Sequence, residues 1–483
     1  MFNRKHARVR RAIWASSGLA LGCVGTLGCQ SYERRPLDLS GHHGAILERG
    51  VAFEAIESFA RRISSGDSTL PARFDLSDGL SPGEGEVLAL FYNADLRMAR
   101  LDAGIALADM RTAGLWGDPV FGFDGAEILS GGRGLEYGLT LGLTIPVSGR
   151  LEVEKDRASA ALRAELLRVA DAEWNVRAKV RSAWTDWAAA VARVELFREA
   201  IDQIDRVTAL TDRLESAGEL TRLESRLIQS QAVSVRIGKI GAERSLGEAR
   251  MKLLGLMGLA PDAQIDISDR FPTVDVPVVK SDADRLLAAS ITLDAERAVY
   301  EVAEESLRLE VRRQYPDIEI GGGFGDEGDD RLLFGLSLPI PIFNANRAGI
   351  ADARAERDRA AGAVETVFER LLRELAAARA ALEASRAQRE VIESSLIPML
   401  DAQAAEVEAL AGLGEVDTII LLETVTRMLE AKSLWLDHRA AEVRAAIEVA
   451  RILGPDHTQG AIRVQDETSR GLGGVPFHAE VNQ

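Results

Sequence analysis

Two periodicities alternate along this chain. From Leu135 to Ile145 apolar and small polar positions exchange strictly: Leu135, Tyr137, Leu139, Leu141, Leu143 and Ile145 share one face, Glu136, Gly138, Thr140, Gly142 and Thr144 the other. A period of two over that length predicts an amphipathic strand. A second alternation sets Leu332, Phe334, Leu336, Leu338, Ile340 and Ile342 against Leu333, Gly335, Ser337, Pro339 and Pro341. Weaker strands are expected at Val120 to Leu129 and Asp317 to Gly325, joined to the strong ones by hairpin material at Ser130 to Gly134 and Asp326 to Arg331. After each pair the period changes. Arg150 to Ala217 contains no Gly or Pro and is rich in Ala, Leu, Arg and Glu, which predicts one helix about 100 Å long at ~1.5 Å per residue. Asn346 to Leu410 predicts its counterpart, with a kink at Pro398, and Glu415 to Leu453 an antiparallel return helix.

These elements form one motif written twice. Gly218-Glu219-Leu220 returns as Gly414-Glu415-Val416, Gly258 as Gly454, Pro119 as Pro316 and Pro146 as Pro341, each 195 to 197 positions later and in the same order. Each copy runs helix, strand, strand, long helix, turn, helix, the first opening on the apolar-periodic stretch Leu96 to Thr112 before a break at Gly114 to Pro119. The fold expected is mainly α with membrane β-hairpins: two long helical hairpins, each with a Gly-centred tip, attached to two amphipathic β-hairpins.

A strand of about ten residues suits a tilted outer-membrane strand. Four strands leave two open edges, which hydrocarbon does not tolerate because bare amides find no partner there. Two chains would close eight strands around side chains, and three would close twelve around a lumen. Small residues on the polar face (Gly138, Thr140, Gly142, Gly335 and Ser337) suit a wide, wet interior.

Composition narrows the class. Of 483 residues, 46% are hydrophobic and 28% charged, which describes a folded protein and no multi-span helical membrane protein. The net charge of −17 argues against a nucleic-acid partner. Arg4, Lys5, Arg8, Arg10 and Arg11 precede an uncharged stretch, Ile13 to Leu27, the form of an export signal. Thr26-Leu27-Gly28-Cys29 resembles a bacterial lipobox with lipidation at Cys29, although Thr26 and Leu27 depart from the usual pattern. Cys23 is a weaker candidate, and a plain signal with an incidental cysteine is the alternative. With only these two Cys, the exported chain is expected to have no internal disulfide.

Asn93-Ala94-Asp95-Leu96, Gly218-Glu219-Leu220-Thr221-Arg222-Leu223, Gly414-Glu415-Val416-Asp417 and the Ala-rich last helix closing on Gly454 together resemble the TolC-type outer-membrane efflux family. The resemblance covers Leu80 to Gly454. It implies a homotrimer with a twelve-stranded outer-membrane β-barrel on a long periplasmic α-barrel, a passive duct for tripartite efflux or type I secretion. The implied partners are a periplasmic adaptor and an inner-membrane pump, and the implied location is the outer membrane of a Gram-negative-type bacterium. The expected segments are a signal peptide (1–28), an N-terminal periplasmic linker (29–84), two repeats (85–270 and 280–455) and a tail (456–483). Arg213, Gly218, Glu219 and Leu220, with Leu413, Gly414, Glu415 and Val416, resemble adaptor-facing tips. Members often carry an aromatic three residues before the tip glycine, where this chain has Glu215 and Ala411.

Asp401, Glu415 and Asp417 are candidates for a pore gate of acidic rings, against the plainer reading of a solvated helix face. Trp116 and Tyr137 are expected at the membrane boundary, and Trp174, Trp184 and Trp187 between helices. No catalytic constellation, cofactor motif or metal site is expected: Gly321-Gly322-Gly323-Phe324-Gly325 lacks a following Lys-Ser/Thr, and His42-His43 lacks partner ligands. A periplasmic coiled-coil adaptor is the main rival, but it would need a flanking lipoyl-like or barrel domain; a structural stalk is the other.

Overall fold

A computed structural model describes residues 32–49, 53–64, 70–71, 74, 79–127, 135–326, 329–412 and 418–455. The described residues up to Glu48 belong to one unit and carry helix α1 (Leu39–Glu48) with no buried side chain. The described residues from Arg49 onward form the second unit.

In the second unit, α2 (Phe53–Ser64) precedes α3 (Pro82–Tyr92), which opens the first repeat. The linker expected over 29–84 runs into the first turn of α3, whose start is well specified. Pro82 stands at the first helical position, and Ser81 and Glu84 exchange hydrogen bonds in a capping box. Asn93 then ends α3 and caps α4 (Ala94–Thr112) by accepting from the Leu96 amide at 3.1 Å. β1 (Val120–Glu127) and β2 (Leu135–Ile145) follow, then α5 (Arg150–Ala217) and α6 (Arg222–Leu256). The second repeat contains α7 (Asp282–Ala289), α8 (Ile291–Arg312), β3 (Ile318–Asp326) and β4 (Asp330–Ser337). It closes with α9 (Arg347–Val391), a π-turn (Ile392–Leu396), α10 (Ile397–Gly412) and α11 (Thr418–Leu453).

α5, 68 residues long, is the axis on which the other helices lie. Its first turns meet α8, through Arg157 to the Ser306 hydroxyl and Arg308 to Asp156. Further along, Arg100 of α4 holds Glu173, and Trp174 donates to the Arg451 carbonyl of α11. The distal part is gripped on two sides: Lys432 of α11 reaches Glu199, and Arg236 of α6 reaches Asp205. The largest core lies where α2, α3, α5 and α6 meet, around Ile56, Leu90, Val180, Leu253 and the fully buried Trp184. Trp184 and Trp187 both donate to the Ser268 carbonyl, so their indole N–H groups are satisfied as burial requires.

One expectation needs correction. β4 stops at Ser337, and Leu338, Ile340 and Ile342 continue outside the ladder. Pro339 and Pro341 have no amide to give a neighbouring strand, so the alternation there carries no sheet. In the second long helix, a π-turn at Ile392–Leu396 immediately precedes Pro398, where the sequence predicts a kink.

The duplication persists in the packing. Gly258 (φ +69) lies on the Tyr92 carbonyl just before the Asn93 cap, and Gly454 (φ +75) on the Ala289 carbonyl just before the Ser290 cap. A Cβ at Gly258 would stand 2.6 Å from the Tyr92 oxygen, and one at Gly454 would collide with the Ala289 oxygen. Arg49 closes the first site by donating to the Gly258 carbonyl at 2.7 Å. Gly258→Ala and Gly454→Ala should each destabilise the fold by about 1–3 kcal/mol, seen as a lower thermal midpoint. Gly149→Ala is the control. Its φ is +69 but nothing lies within 4 Å, so only the backbone term of ~1 kcal/mol should appear.

Candidate channel-forming surfaces

The four strands make one antiparallel sheet in the order β1-β2-β3-β4, with β2 against β3 joining the repeats. Register puts Phe121 opposite Leu141, Phe123 opposite Leu139, Leu139 opposite Phe324, and Phe324 opposite Leu332. One face is therefore continuously apolar. The other carries Gly122, Gly138, Gly142, Gly321, Gly323, Gly325 and Gly335 among Thr140, Thr144 and Ser337. Phe121, Phe123, Leu141, Leu332, Phe334 and Leu336 are all more than half exposed. An exposed apolar face of this extent marks a surface made for another apolar medium. β1 and β4 each pair on one side only, leaving two free edges among the described strands. Trp116 is exposed where the chain enters β1, and Tyr137 lies on β2 with its ring 6.5 Å from that of Phe324.

The sheet is tied to the helices by polar clamps. Arg150, the first residue of α5, reaches Asp317 before β3 at 2.9 Å and Glu154 at 3.1 Å. In the second repeat the residue just before the long helix, Asn346, adopts φ +51 and donates to the carbonyl and carboxylate of Glu310 at 2.9 and 2.7 Å. Asn tolerates the left-handed region that Gly149 occupies in the first repeat.

At the far end of α5 the chain turns at Gly218 (φ +80), with Gly218 donating to Glu215, and Glu219 and Leu220 donating to Leu214. Thr221 and Glu224 then cap α6 with reciprocal hydrogen bonds. Asp212, Glu215, Ser216, Leu220 and Arg222 line a shallow open depression here. Arg213 is exposed beside it, its Nε donating to the Ala209 carbonyl. Gly218, Glu219 and Leu220 thus share one tip, with Arg213 on its approach. The second tip (Leu413, Gly414, Glu415, Val416 and Asp417) and Cys29 lie outside the described residues. Asp401 is exposed on α10.

One cluster has no signal in the sequence, because it joins residues more than fifty apart. Glu442 of α11 accepts from Arg386 at 3.2 Å and Arg389 at 2.7 Å of α9, and from Arg439 at 3.2 Å. Arg389 also holds Glu393, which accepts from the Trp435 indole. Burial pushes the Glu442 carboxyl up, but hydrogen bonds from Arg389 and Arg386 and the surrounding positive charge outweigh it, holding it below the usual carboxylate range. A depressed carboxylate contributes stability that is whole above its unfolded pKa, about 4.3, and is lost as pH falls through the lower folded value. Glu442→Gln should therefore lower the thermal midpoint at pH 7, by about 1–2 kcal/mol given the half-exposed Arg386. It should also flatten the acid limb of a midpoint-against-pH curve below pH ~4.5. An unchanged acid limb would show that the cluster adds nothing.

Among the described residues no group of three His, Cys, Asp or Glu could hold a metal ion, and no helix is long and apolar enough to cross a membrane. The membrane-suited surface is the sheet.

The model of the family described as outer membrane efflux protein matches residues 88–259, from α3 through the docking glycine. The cobalt-zinc-cadmium resistance protein CzcC of Cupriavidus metallidurans is 23% identical over 323 residues, 65% of this chain and 76% of CzcC. The outer membrane protein VceC of Vibrio cholerae superposes with a TM-score of 0.66 at 17% identity, over 77% of this chain and 96% of VceC. The CmeC outer membrane channel of Campylobacter jejuni gives 0.67 at 13% identity, over 88% and 94%. At such identities the superpositions show a shared fold. Sheet, paired helical hairpins and superpositions agree on the fold, and within it residues 88–259 match the model of the outer membrane efflux protein family.

Proposed function

We propose that this chain is the outer-membrane channel subunit of a tripartite efflux or secretion system, three copies of which enclose one passive exit duct. The observation that carries this reading is the four-stranded sheet, apolar on one face, glycine-rich on the other, with both edges free. Unpaired edges in hydrocarbon are satisfied when β1 of one copy pairs with β4 of the next. Three copies give twelve strands and a lumen, whereas two give a barrel filled by its own side chains. The protein resides in the outer membrane and its helical hairpins reach into the periplasm. The tips then meet a periplasmic adaptor, which couples the duct to an inner-membrane pump. Cys29, as a lipidated N-terminus, adds an anchor to the one the sheet makes. A coiled-coil adaptor or stalk is not favoured, since neither role needs an amphipathic sheet between two hairpins.

The test is purification in detergent followed by mass photometry and planar-bilayer recording. A trimer with single-channel conductance is expected. A stable monomer, soluble without detergent and silent in bilayers, would refute the proposal.

A further inference from the structure

We propose that α6 of one copy packs along α10 and the last turn of α9 of the next as an antiparallel coiled coil, with Arg226 of one copy paired to Glu406 of its neighbour; this rests on the trimer reading above. Within one copy the long helices lie in a row, α6 on α5, α5 on α11 and α11 on α10. α6 and α10 end that row, so each packs on one side and is bare on the other. On α6, Ile228, Ala232 and Val235 face α5 and are buried. Leu223, Val233, Ile237, Ile240 and Met251 lie on the opposite side, all exposed, at the three-four spacing of a coiled-coil seam. A second apolar seam of that length is made for a second helix.

The bare edge of α10 answers that seam in level and in charge. Val207, Ile228 and Leu422 share one cluster, and Thr424, just along α11, accepts from Gln403 at 2.9 Å. Those contacts fix the level of α10 against α6, which run in opposite directions. Counted from there, Leu223 is level with Leu410, Val233 with Met399 and Ile240 with Val391, each pair within about one turn and every member exposed. Ala402 and Ala405 are exposed opposite the buried Leu400 and Val407, leaving room for the larger α6 side chains. α6 carries seven Lys or Arg against three Glu, whereas α10 carries Asp401, Glu406 and Glu408 and no base. Arg226 lies on the seam and Glu406 falls level with it; both are exposed, and among the described residues neither has an ion-pair partner in its own copy. Opposite charges so placed fix both the partner and its register. The sheet has the same polarity, with β1 of the first repeat free at one edge and β4 of the second at the other. A neighbour that completes the sheet therefore completes the helical row as well.

Disulfide trapping in the full chain tests the seam. Ser230 and Ala402 are exposed, level with each other and on the two bare faces. Cells coexpressing a Ser230→Cys chain and an Ala402→Cys chain should yield, on oxidation, at least tenfold more covalent dimer than either chain alone, reversed by reductant. The single variants carry Cys23 and Cys29 too, so they control for those thiols. Arg226→Glu and Glu406→Arg should each shorten the half-life of the trimer in detergent at least threefold, and both together should restore it to within twofold. Should a charge variant fail to assemble, the crosslink decides alone. A normal trimer by mass photometry with neither crosslink nor restoration would overturn the seam and leave the channel reading standing. Crosslinks from Ser230→Cys to a different protein, with none between copies, would also overturn it and give the α6 face to an adaptor. A parent that never forms trimers would defeat both readings.

Discussion

Leu141→Arg is expected to remove the protein from the outer-membrane fraction. Leu141 lies mid-strand in β2, more than half exposed, between Phe121 and Gly322 on the apolar face. An Arg at the lipid midplane costs about 2–4 kcal/mol per copy, so a trimer bears roughly 6–12 kcal/mol. Gly335→Arg provides the contrast. It stands on the opposite face of β4 with nothing within 4 Å of a new Cβ, so insertion should proceed while conductance falls. Density-gradient fractionation of both variants reads the difference. Leu141→Arg at parental levels in the outer membrane would mean the apolar face does not meet lipid.

At the other end of α5, charge reversal at Glu219 or Glu415, or Val at Gly218 or Gly414, should abolish most efflux while trimers form and insert normally. Gly218 holds φ +80, which a β-branched residue adopts only at a cost of about 1–2 kcal/mol. The added Cβ itself meets open space, so the strain stays at the turn. The tip is about 100 Å from the start of α5 along the helix, far from the strands that hold the membrane. Crosslinks placed at Glu219 should capture a periplasmic adaptor. Wild-type efflux at normal protein levels, in a chain carrying all four changes, would reduce the tips to plain turns.

Much of this architecture is legible because long, regular elements leave periodic traces. β2 runs over the eleven residues whose alternation predicts it, and α5 over the whole stretch without Gly or Pro. Where local chemistry competes with pattern, the trace misleads. Leu338 to Ile342 alternate as a strand would, but Pro339 and Pro341 remove the amides a ladder needs. Ser81 and Glu84 spell a capping box in a segment whose polarity hides it. Pro398 announces a disturbance without saying that a π-turn absorbs it. The Glu442 cluster depends on three arginines from two helices, and no one-dimensional pattern joins them.

The glycine face of the sheet has a consequence for inheritance. At Gly323 and Gly325 a Cβ would come within 2.7 and 2.9 Å of backbone oxygens, so those positions are closed to change by packing alone. At Gly138, Gly142 and Gly335 nothing lies nearer than 3.9 Å. If the sheet is a channel wall as proposed, alleles that place a side chain there should leave folding intact and narrow the throat. A population under pressure to keep compounds out, rather than expel them, would then have three codons at which permeability varies without loss of the protein.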